Sequence, residues 1–282
     1  MADQGHGLLA RQRRGLILEA VRRDGAVRVA ELVDRLGVSD MTVRRDLDAL
    51  ARSGEVEKVH GGAVASRGRS AEEPGFEAKS GRESAAKAAV AEAAAALVEP
   101  GSVVAIGAGT TAHAVAGRLL SVPDLTVLTN SLPVADLLRA AAAERGAAAP
   151  GLLLTGGTPT RSAALVGPLA DLVIGSLHVD LLFLGAHGVC PVAGCTSPNL
   201  AEAQTNRAFV AAARRVAITA DHTKWGVVAL SGFAALGEVD WFVTDDGLPD
   251  ADAELLAESV GELILAPRVG AGGRGRPAEQ RP

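Results

Sequence analysis

Between residues 103 and 243 the chain passes through six short apolar runs: Val103–Ile106, Leu125–Leu128, Leu152–Leu154, Leu181–Leu184, Val216–Thr219 and Trp241–Val243. Helix-like segments separate most of them. Runs this short and this apolar fit strands covered on both faces, and strands alternating with helices imply a parallel sheet between two helical layers. A helical run from Glu83 to Leu97 leads into the first of these strands. The length, 282 residues, leaves room for a second, smaller domain before it. With 48% hydrophobic and 22% charged residues, wholesale disorder is excluded.

The first 65 residues have a different period. Leu16, Ile17, Ala20 and Val21 mark one face of a helix from Leu8 to Arg23, which breaks at Asp24-Gly25. After Val27-Arg28-Val29, a second helix carries Val29, Leu32, Val33 and Leu36 inward and stops at Gly37. Ser39 is placed to cap a third helix whose Val43, Leu47 and Leu50 face the core until Ser53-Gly54. Glu55 to Val64 alternates loosely around Gly61-Gly62, as a β-hairpin does. Three short helices and a hairpin describe a winged helix-turn-helix. The expected fold class is therefore α/β, a small winged helix-turn-helix domain over residues 1–65 followed by a Rossmann-like parallel domain over 72–266. Residues 66–71 read as an Arg/Gly/Ser-rich linker, and 267–282 as a disordered tail.

Charge is divided the same way. Residues 1–70 hold 13 Lys/Arg against 10 Asp/Glu, net +3, whereas the rest hold 15 against 23, net −8. Only the first segment suits a polyanion. On the third helix the inward residues leave Asp40, Thr42, Arg44, Arg45, Asp48 and Arg52 toward solvent. Arg44 and Arg45 have the forked donors that read guanine, Ser39 and Thr42 suit phosphate or a thymine methyl, and Lys58 and His60 of the wing suit the backbone.

Gly107-Ala108-Gly109-Thr110-Thr111 follows the first strand and opens the helix Ala112–Leu120. Glycines there let backbone amides approach a ligand, and a helix N-terminus favours an anion, so a phosphate is expected. The same spacing satisfies a dinucleotide fingerprint. The next strand, however, ends in Thr129-Asn130-Ser131 without the acidic residue a ribose needs, so no nicotinamide and no other cofactor is expected. Further strand ends carry Thr155-Gly156-Gly157, Gly185-Ala186-His187-Gly188 and Asp221-His222-Thr223-Lys224. Loops at the carboxyl ends of parallel strands share one crevice. Lys224 supplies positive charge, and Asp221 or Glu202 acceptors for hydroxyls. Cys190 and Cys195 read as reduced thiols, and their His187-x2-Cys-x4-Cys pattern lacks a fourth zinc ligand, so no metal is expected.

Val38-Ser39-Asp40-Met41-Thr42-Val43-Arg44-Arg45-Asp46-Leu47, with His60-Gly61-Gly62-Ala63, resembles the signature of the DeoR family of transcriptional regulators. The resemblance spans roughly residues 8–266 and implies a repressor of sugar metabolism whose third helix reads an operator, supported by Asp46 and the wing. Its second half is similar to sensor domains with the fold of ribose-5-phosphate isomerase and glucosamine-6-phosphate deaminase. That likeness implies relief by a phosphorylated sugar: Gly107, Gly109, Thr110 and Thr111 around the phosphate, and Asn130, Gly157, Glu202 and Lys224 around the sugar. Asn206 departs from the lysine many relatives carry before the arginine that is here Arg207. A homodimer or homotetramer is implied. The rival reading is a sugar-phosphate isomerase or deaminase using Asp180, Asp221, Lys224, Asp245 and Asp246, in which a DNA-binding domain has no role. Met1 to Arg14 mixes His, Gln and Arg where a secreted chain has an apolar block, and no apolar run reaches about 18 residues, so a cytoplasmic protein without membrane contact is expected.

Overall fold

A computed structural model describes residues 10–24, 26–52, 56–59, 61–65 and 75–268. His60, Gly25, Ser53-Gly54, the linker 66–71 and residues 269–282 of the tail, all singled out above, lie outside the described residues. The chain divides into two compact units, Met1–Ser70 and Ala71–Pro282.

In the first unit α1 (Ala10–Asp24), β1 (Ala26–Arg28), α2 (Val29–Leu36) and α3 (Asp40–Arg52) precede the hairpin β2 (Val56–Val59) and β3 (Gly62–Ala65). The strands form an antiparallel sheet in the order β1-β3-β2. Ile17, Ala20, Val21, Leu32, Val43, Leu47 and Leu50 close one apolar core with Val56 and Ala63. Leu16, expected on the inward face of α1, is 39% exposed. At 100° per residue it stands roughly a quarter turn from the mean direction of Ile17, Ala20 and Val21, so it flanks that stripe. α2 ends where Gly37 turns left-handed and returns its N–H to the Val33 carbonyl. The Ser39 hydroxyl accepts from the Thr42 N–H at 3.3 Å, capping α3 as its position demands.

The second unit opens with α4 (Phe76–Ser80) and α5 (Ser84–Ala95). It then alternates β4 (Val103–Ile106), α6 (Thr110–Leu119), β5 (Thr126–Thr129), α7 (Leu132–Arg145), β6 (Gly151–Leu154), β7 (Thr158–Pro159), β8 (Leu165–Val166), α8 (Pro168–Gly175) and β9 (Leu181–Leu184). It finishes with β10 (Gly188–Cys190), β11 (Gly194–Ser197), α9 (Leu200–Ala212), β12 (Val216–Thr219), β13 (Ser231–Ala234), β14 (Trp241–Asp245), α10 (Asp250–Ala257) and β15 (Glu262–Ala266). Seven strands form one parallel sheet in the order β15-β14-β12-β9-β4-β5-β6. Along β4 the period-2 pleat sends Val104 and Ile106 into the cluster under α5, α6 and α7, and Ala105 into the cluster under α8, α9 and α10. Both faces are covered, hence the unbroken apolar runs.

The six expected strands are present. Leu125–Leu128 is shifted one residue, to Thr126–Thr129, because the Thr129 hydroxyl, fully buried, donates to the Ile106 carbonyl at 2.6 Å and accepts from the Ser131 N–H. β15 was not foreseen, since its Leu263-Ile264-Leu265 run is short and half-buried. Nor were the antiparallel sheet β10-β11-β13 and the β7-β8 hairpin, strands of two to four residues paired locally. Among the described residues no helix is long and apolar enough to cross a membrane.

Candidate functional site

On the first unit, α3 presents Asp40, Arg44, Arg45 and Arg52 to solvent, with Thr42 and Asp48 half-buried. The cap geometry joins Ser39 to Thr42 through a hydroxyl pair at 2.9 Å. Arg44 is occupied: its Nε and Nη2 donate to Asp40 one turn earlier, at 2.5 and 3.2 Å, and this hydrogen bond raises its pKa further above the ordinary value. Lys58 Nζ likewise donates to Asp48 at 2.5 Å, which holds the Asp48 carboxyl below its ordinary range. Arg45 makes no ion pair among the described residues. Exposed pairs such as these are worth little and exchange readily for a stronger anion. Asp46 behaves differently. It is buried, accepts a short hydrogen bond from Arg13, and has Arg14 Nε 3.8 Å away, so it ties α3 to α1.

In the second unit the strand-end residues sit at the carboxyl edge of the parallel sheet. Gly107 is pressed against β9: a Cβ there would lie 2.4 Å from Leu184 Cδ2. Gly109 is the N-cap of α6, without a side-chain cap, so the first amides of α6 face outward from the loop. Thr111 is buried and Thr110 half-buried behind them. Gly157 has φ +119, and a Cβ would meet the Val166 carbonyl at 2.7 Å; only glycine fits this crossing. Asn130, 1% exposed, donates from Nδ2 to the Leu165 carbonyl at 3.0 Å. Glu202, near the start of α9, accepts from Thr160 Oγ1 at 2.7 Å, from Ser162 at short range and from Ser197 at 3.4 Å. The β7-β8 hairpin therefore links the ends of β5 and β6 to α9.

Beyond β12, Asp221 is 2% exposed. Its Oδ1 accepts from the Thr223 amide and hydroxyl, while Lys224 Nζ stands 3.9 Å from Oδ2, outside hydrogen-bond range. Among the described residues, two buried side-chain polar atoms have no hydrogen-bond partner: Asp221 Oδ2 and Asn130 Oδ1. Both are acceptors, and both stand at this edge.

One residue and one pairing here escaped the sequence reading. Lys87 of α5 is 7% exposed, donates to the Lys79 carbonyl at 2.6 Å, and has its pKa lowered by burial, opposed by Asp221 and reinforced by Lys224. It lines a cavity of about 280 Å³ with Thr110, His113 and Phe76. A lysine in an alanine-rich helix reads as a solvated residue, so no local signal marked it. The pairing is that of His222, named above only as part of its loop, whose Nδ1 lies 2.8 Å from the buried Asp245 Oδ2. That hydrogen bond raises the His222 pKa against the opposing effect of burial. Burial raises the Asp245 carboxyl, but hydrogen bonds from the His222 ring and amide outweigh it and leave its pKa lowered.

Other named residues lie elsewhere. Asp180 is engaged at the opposite, amino end of the sheet, where its Oδ2 accepts from the Val103 N–H at 2.9 Å; it does not join Asp221 and Asp245. Arg207 is tied to β13, donating to Ser231 Oγ at 3.0 Å and to the Gly232 carbonyl. Cys195 is buried with its thiol pushed up to about 12, which keeps it protonated. Among the described residues no cluster of His, Cys, Asp or Glu is arranged to hold a metal ion.

Comparison with known proteins gives a DeoR-like helix-turn-helix domain over residues 13–68 and a DeoR C terminal sensor domain over residues 82–246. The chain is 38% identical over 256 residues to the HTH-type transcriptional regulator YgbI of Escherichia coli, itself uncharacterized, covering 90% of this chain and 97% of that one. It is 34% identical over 230 residues to the lactose phosphotransferase system repressor of Staphylococcus aureus, covering 81% and 89%. Among solved structures, ribose 5-phosphate isomerase A of Methanocaldococcus jannaschii aligns over 49% of this chain and 53% of its own at 18% identity, with a TM-score of 0.35, too loose to carry an assignment.

Proposed function

The chain belongs to the DeoR family of helix-turn-helix regulators, and on that premise we propose that it represses a sugar-metabolism operon and is released from its operator by a phosphorylated sugar. Residues 1–65 are the DNA-binding domain, with Ser39, Thr42, Arg44, Arg45, Lys58 and His60 contacting the duplex. Residues 66–71 are the linker and 72–266 the sensor, and 267–282 are a tail. The protein acts in the cytoplasm as a homodimer or homotetramer, since a helix-turn-helix meeting paired half-sites is matched by a symmetric protein.

The observation that carries the ligand class is the pair of unfilled acceptors. A buried polar atom without a partner costs about 1–3 kcal/mol, and Asn130 Oδ1 and Asp221 Oδ2 both require donors. The loop after β4 and the amine of Lys87 suit the opposite, an anion. A ligand that brings several hydroxyl donors and one anionic group satisfies both. In this reading Gly107, Gly109, Thr110 and Thr111 hold the phosphate with Lys87, while Asn130, Asp221, Gly157, Glu202 and Lys224 surround the sugar.

Calorimetry of the full chain against a panel of sugar phosphates and their unphosphorylated parents tests the assignment. Binding is expected for at least one phosphate, for none of the parents, and far more weakly for Asp221→Asn. Binding of the parent sugar as tightly as its phosphate would remove the anion site from the proposal.

A further inference from the structure

The second unit begins with a weakly seated element. α4, five residues of which none is buried, is the first described element after the chain leaves the first unit. Its Phe76 ring meets the His113 ring of α6 edge-on, centroids 5.6 Å apart, and its Lys79 carbonyl accepts from Lys87 Nζ on α5 at 2.6 Å. The cavity of about 280 Å³ is walled by Phe76 and Ser80 of α4, Lys87 of α5, and Thr110 and His113 of α6. α4 therefore lies over open space along part of its length.

The turn from α4 into α5 is also strained. Glu83, the N-cap of α5, has φ +49 and makes no side-chain cap. A non-glycine residue persists in the left-handed region only where its surroundings hold it there. The bond from Lys87 back to Lys79 closes over this turn and supplies such a hold. Lys87 itself is poorly compensated: it is 7% exposed, makes no ion pair among the described residues, and has Lys224 and Lys79 as nearby like charges against Asp221 and Glu83. A carbonyl offers that buried ammonium only a dipole. An anion at Thr110, which shares the cavity with Lys87, offers it a full opposite charge.

We propose that Lys87 is a clasp with two alternative acceptors: without ligand its amine holds the Lys79 carbonyl and thereby α4, and an anion bound on the loop after β4 draws the amine away and lets α4 go. The strained turn at Glu83 favours opening once the clasp is lost. Because the chain from the first unit enters through α4, the occupancy of a site at the strand ends reaches the segment that tethers the DNA reader. The differential contact that a two-state switch requires is thus one lysine with two partners. The inference rests on the anion site proposed above and adds the route by which its occupancy is transmitted. It separates two roles for Lys87. A residue that only binds phosphate leaves α4 in place when it is lost, whereas a clasp releases it.

Hydrogen exchange of the full chain, read over residues 76–83 and over the first turn of α6 at 110–113, with and without inorganic phosphate at constant ionic strength, tests the clasp. Phosphate should slow exchange at α6 and speed it at α4 by roughly tenfold. Lys87→Met keeps a long apolar stem without the donor, and should show the fast α4 exchange with no phosphate present. Lys224→Met removes a charge from the same site but leaves the Lys79 carbonyl held, so it should lose the phosphate response with α4 still protected. Wild-type protection of α4 in a cooperatively melting Lys87→Met overturns the clasp. So does a phosphate that slows α6 in the wild type and leaves α4 unchanged; in both cases the anion site stands. If phosphate does not slow α6, the anion site falls and the switch falls with it.

Discussion

The reading helix and the strand-end site keep their binding groups ready in opposite ways. On α3 and the wing, two of the cations proposed to meet DNA are exposed and already paired, Arg44 with Asp40 and Lys58 with Asp48. At the strand ends the acceptors are buried and left empty. A surface pair gives up little when phosphate replaces its carboxylate, so the DNA site is held in readiness by exchange. An unfilled buried acceptor is a standing penalty that a ligand's hydroxyl donor can remove, so the strand-end site is held in readiness by destabilisation. Substitutions should therefore separate function from stability on both surfaces, with opposite sign.

Asp46 is where that contrast breaks, and it carries the largest expected effect. Removing one partner from a buried ion pair costs about 3–5 kcal/mol. Asp46→Ala should accordingly unfold the first unit at room temperature, seen as a lost low-temperature transition in calorimetry, while the sensor unit melts unchanged. A single unaltered transition would show that Arg13 and Arg14 do not depend on it. Next in size is the double variant Arg44→Ala/Arg45→Ala, which should abolish operator preference at about 1–3 kcal/mol per base-reading arginine, with melting unaffected. Retained discrimination in a titration at fixed salt would remove these side chains from the readout. Asn130→Leu should weaken the sugar phosphate by ten- to a hundredfold yet leave the unliganded protein as stable as before or slightly more so. Marked destabilisation would mean that the Leu165 hydrogen bond, not the empty oxygen, dominates at that position.

A smaller effect is expected from pH. His222 has a folded pKa raised by Asp245, so the stability it confers is complete below the ordinary histidine value of about 6.5 and is lost as pH rises through the raised one. The melting temperature of the sensor unit should decline across that window, and His222→Gln should flatten the decline. The smallest effect belongs to Lys58→Ala, which should lower the slope of log affinity against log salt by about 1 without changing sequence preference.

The sequence made the periodic parts of this fold legible and was blind where a side chain's role depends on a neighbour far along the chain. Val43, Leu47 and Leu50 fixed the orientation of α3, and through it the exposure of Arg44 and Arg45, by spacing alone. Gly107, Gly109 and Thr111 were readable because a strand-to-helix turn is local. Lys87 and Asp221, by contrast, owe their burial to elements more than 100 residues apart in sequence, and no window could show that one would face the other. Leu16 was misplaced because its hydrophobicity was counted while its angle was not. Glu202 was read as an acceptor for sugar hydroxyls, and no local pattern showed that Thr160, Ser162 and Ser197 of distant segments already donate to it.

β9 lies between β4 and β12, and Asp180 clamps the start of β4 with two hydrogen bonds, Val103 N–H to its carboxylate and its own N–H to the Val103 carbonyl. The strand that carries the loop after β4 is thus completed by residues translated 77 positions later, whereas the apolar core of the first unit, among the described residues, is assembled from Ile17 to Ala63. At a ribosomal rate of about 5–20 residues per second, domains forming N-terminal first, a nascent chain holds a finished DNA reader on the order of ten seconds before its sheet can close around a ligand. On the proposed function, the emerging protein is for that interval a reader without a working sensor, and protease protection of stalled chains should appear in the same order, the first unit before residue 100 and the second only after β12 has left the exit tunnel.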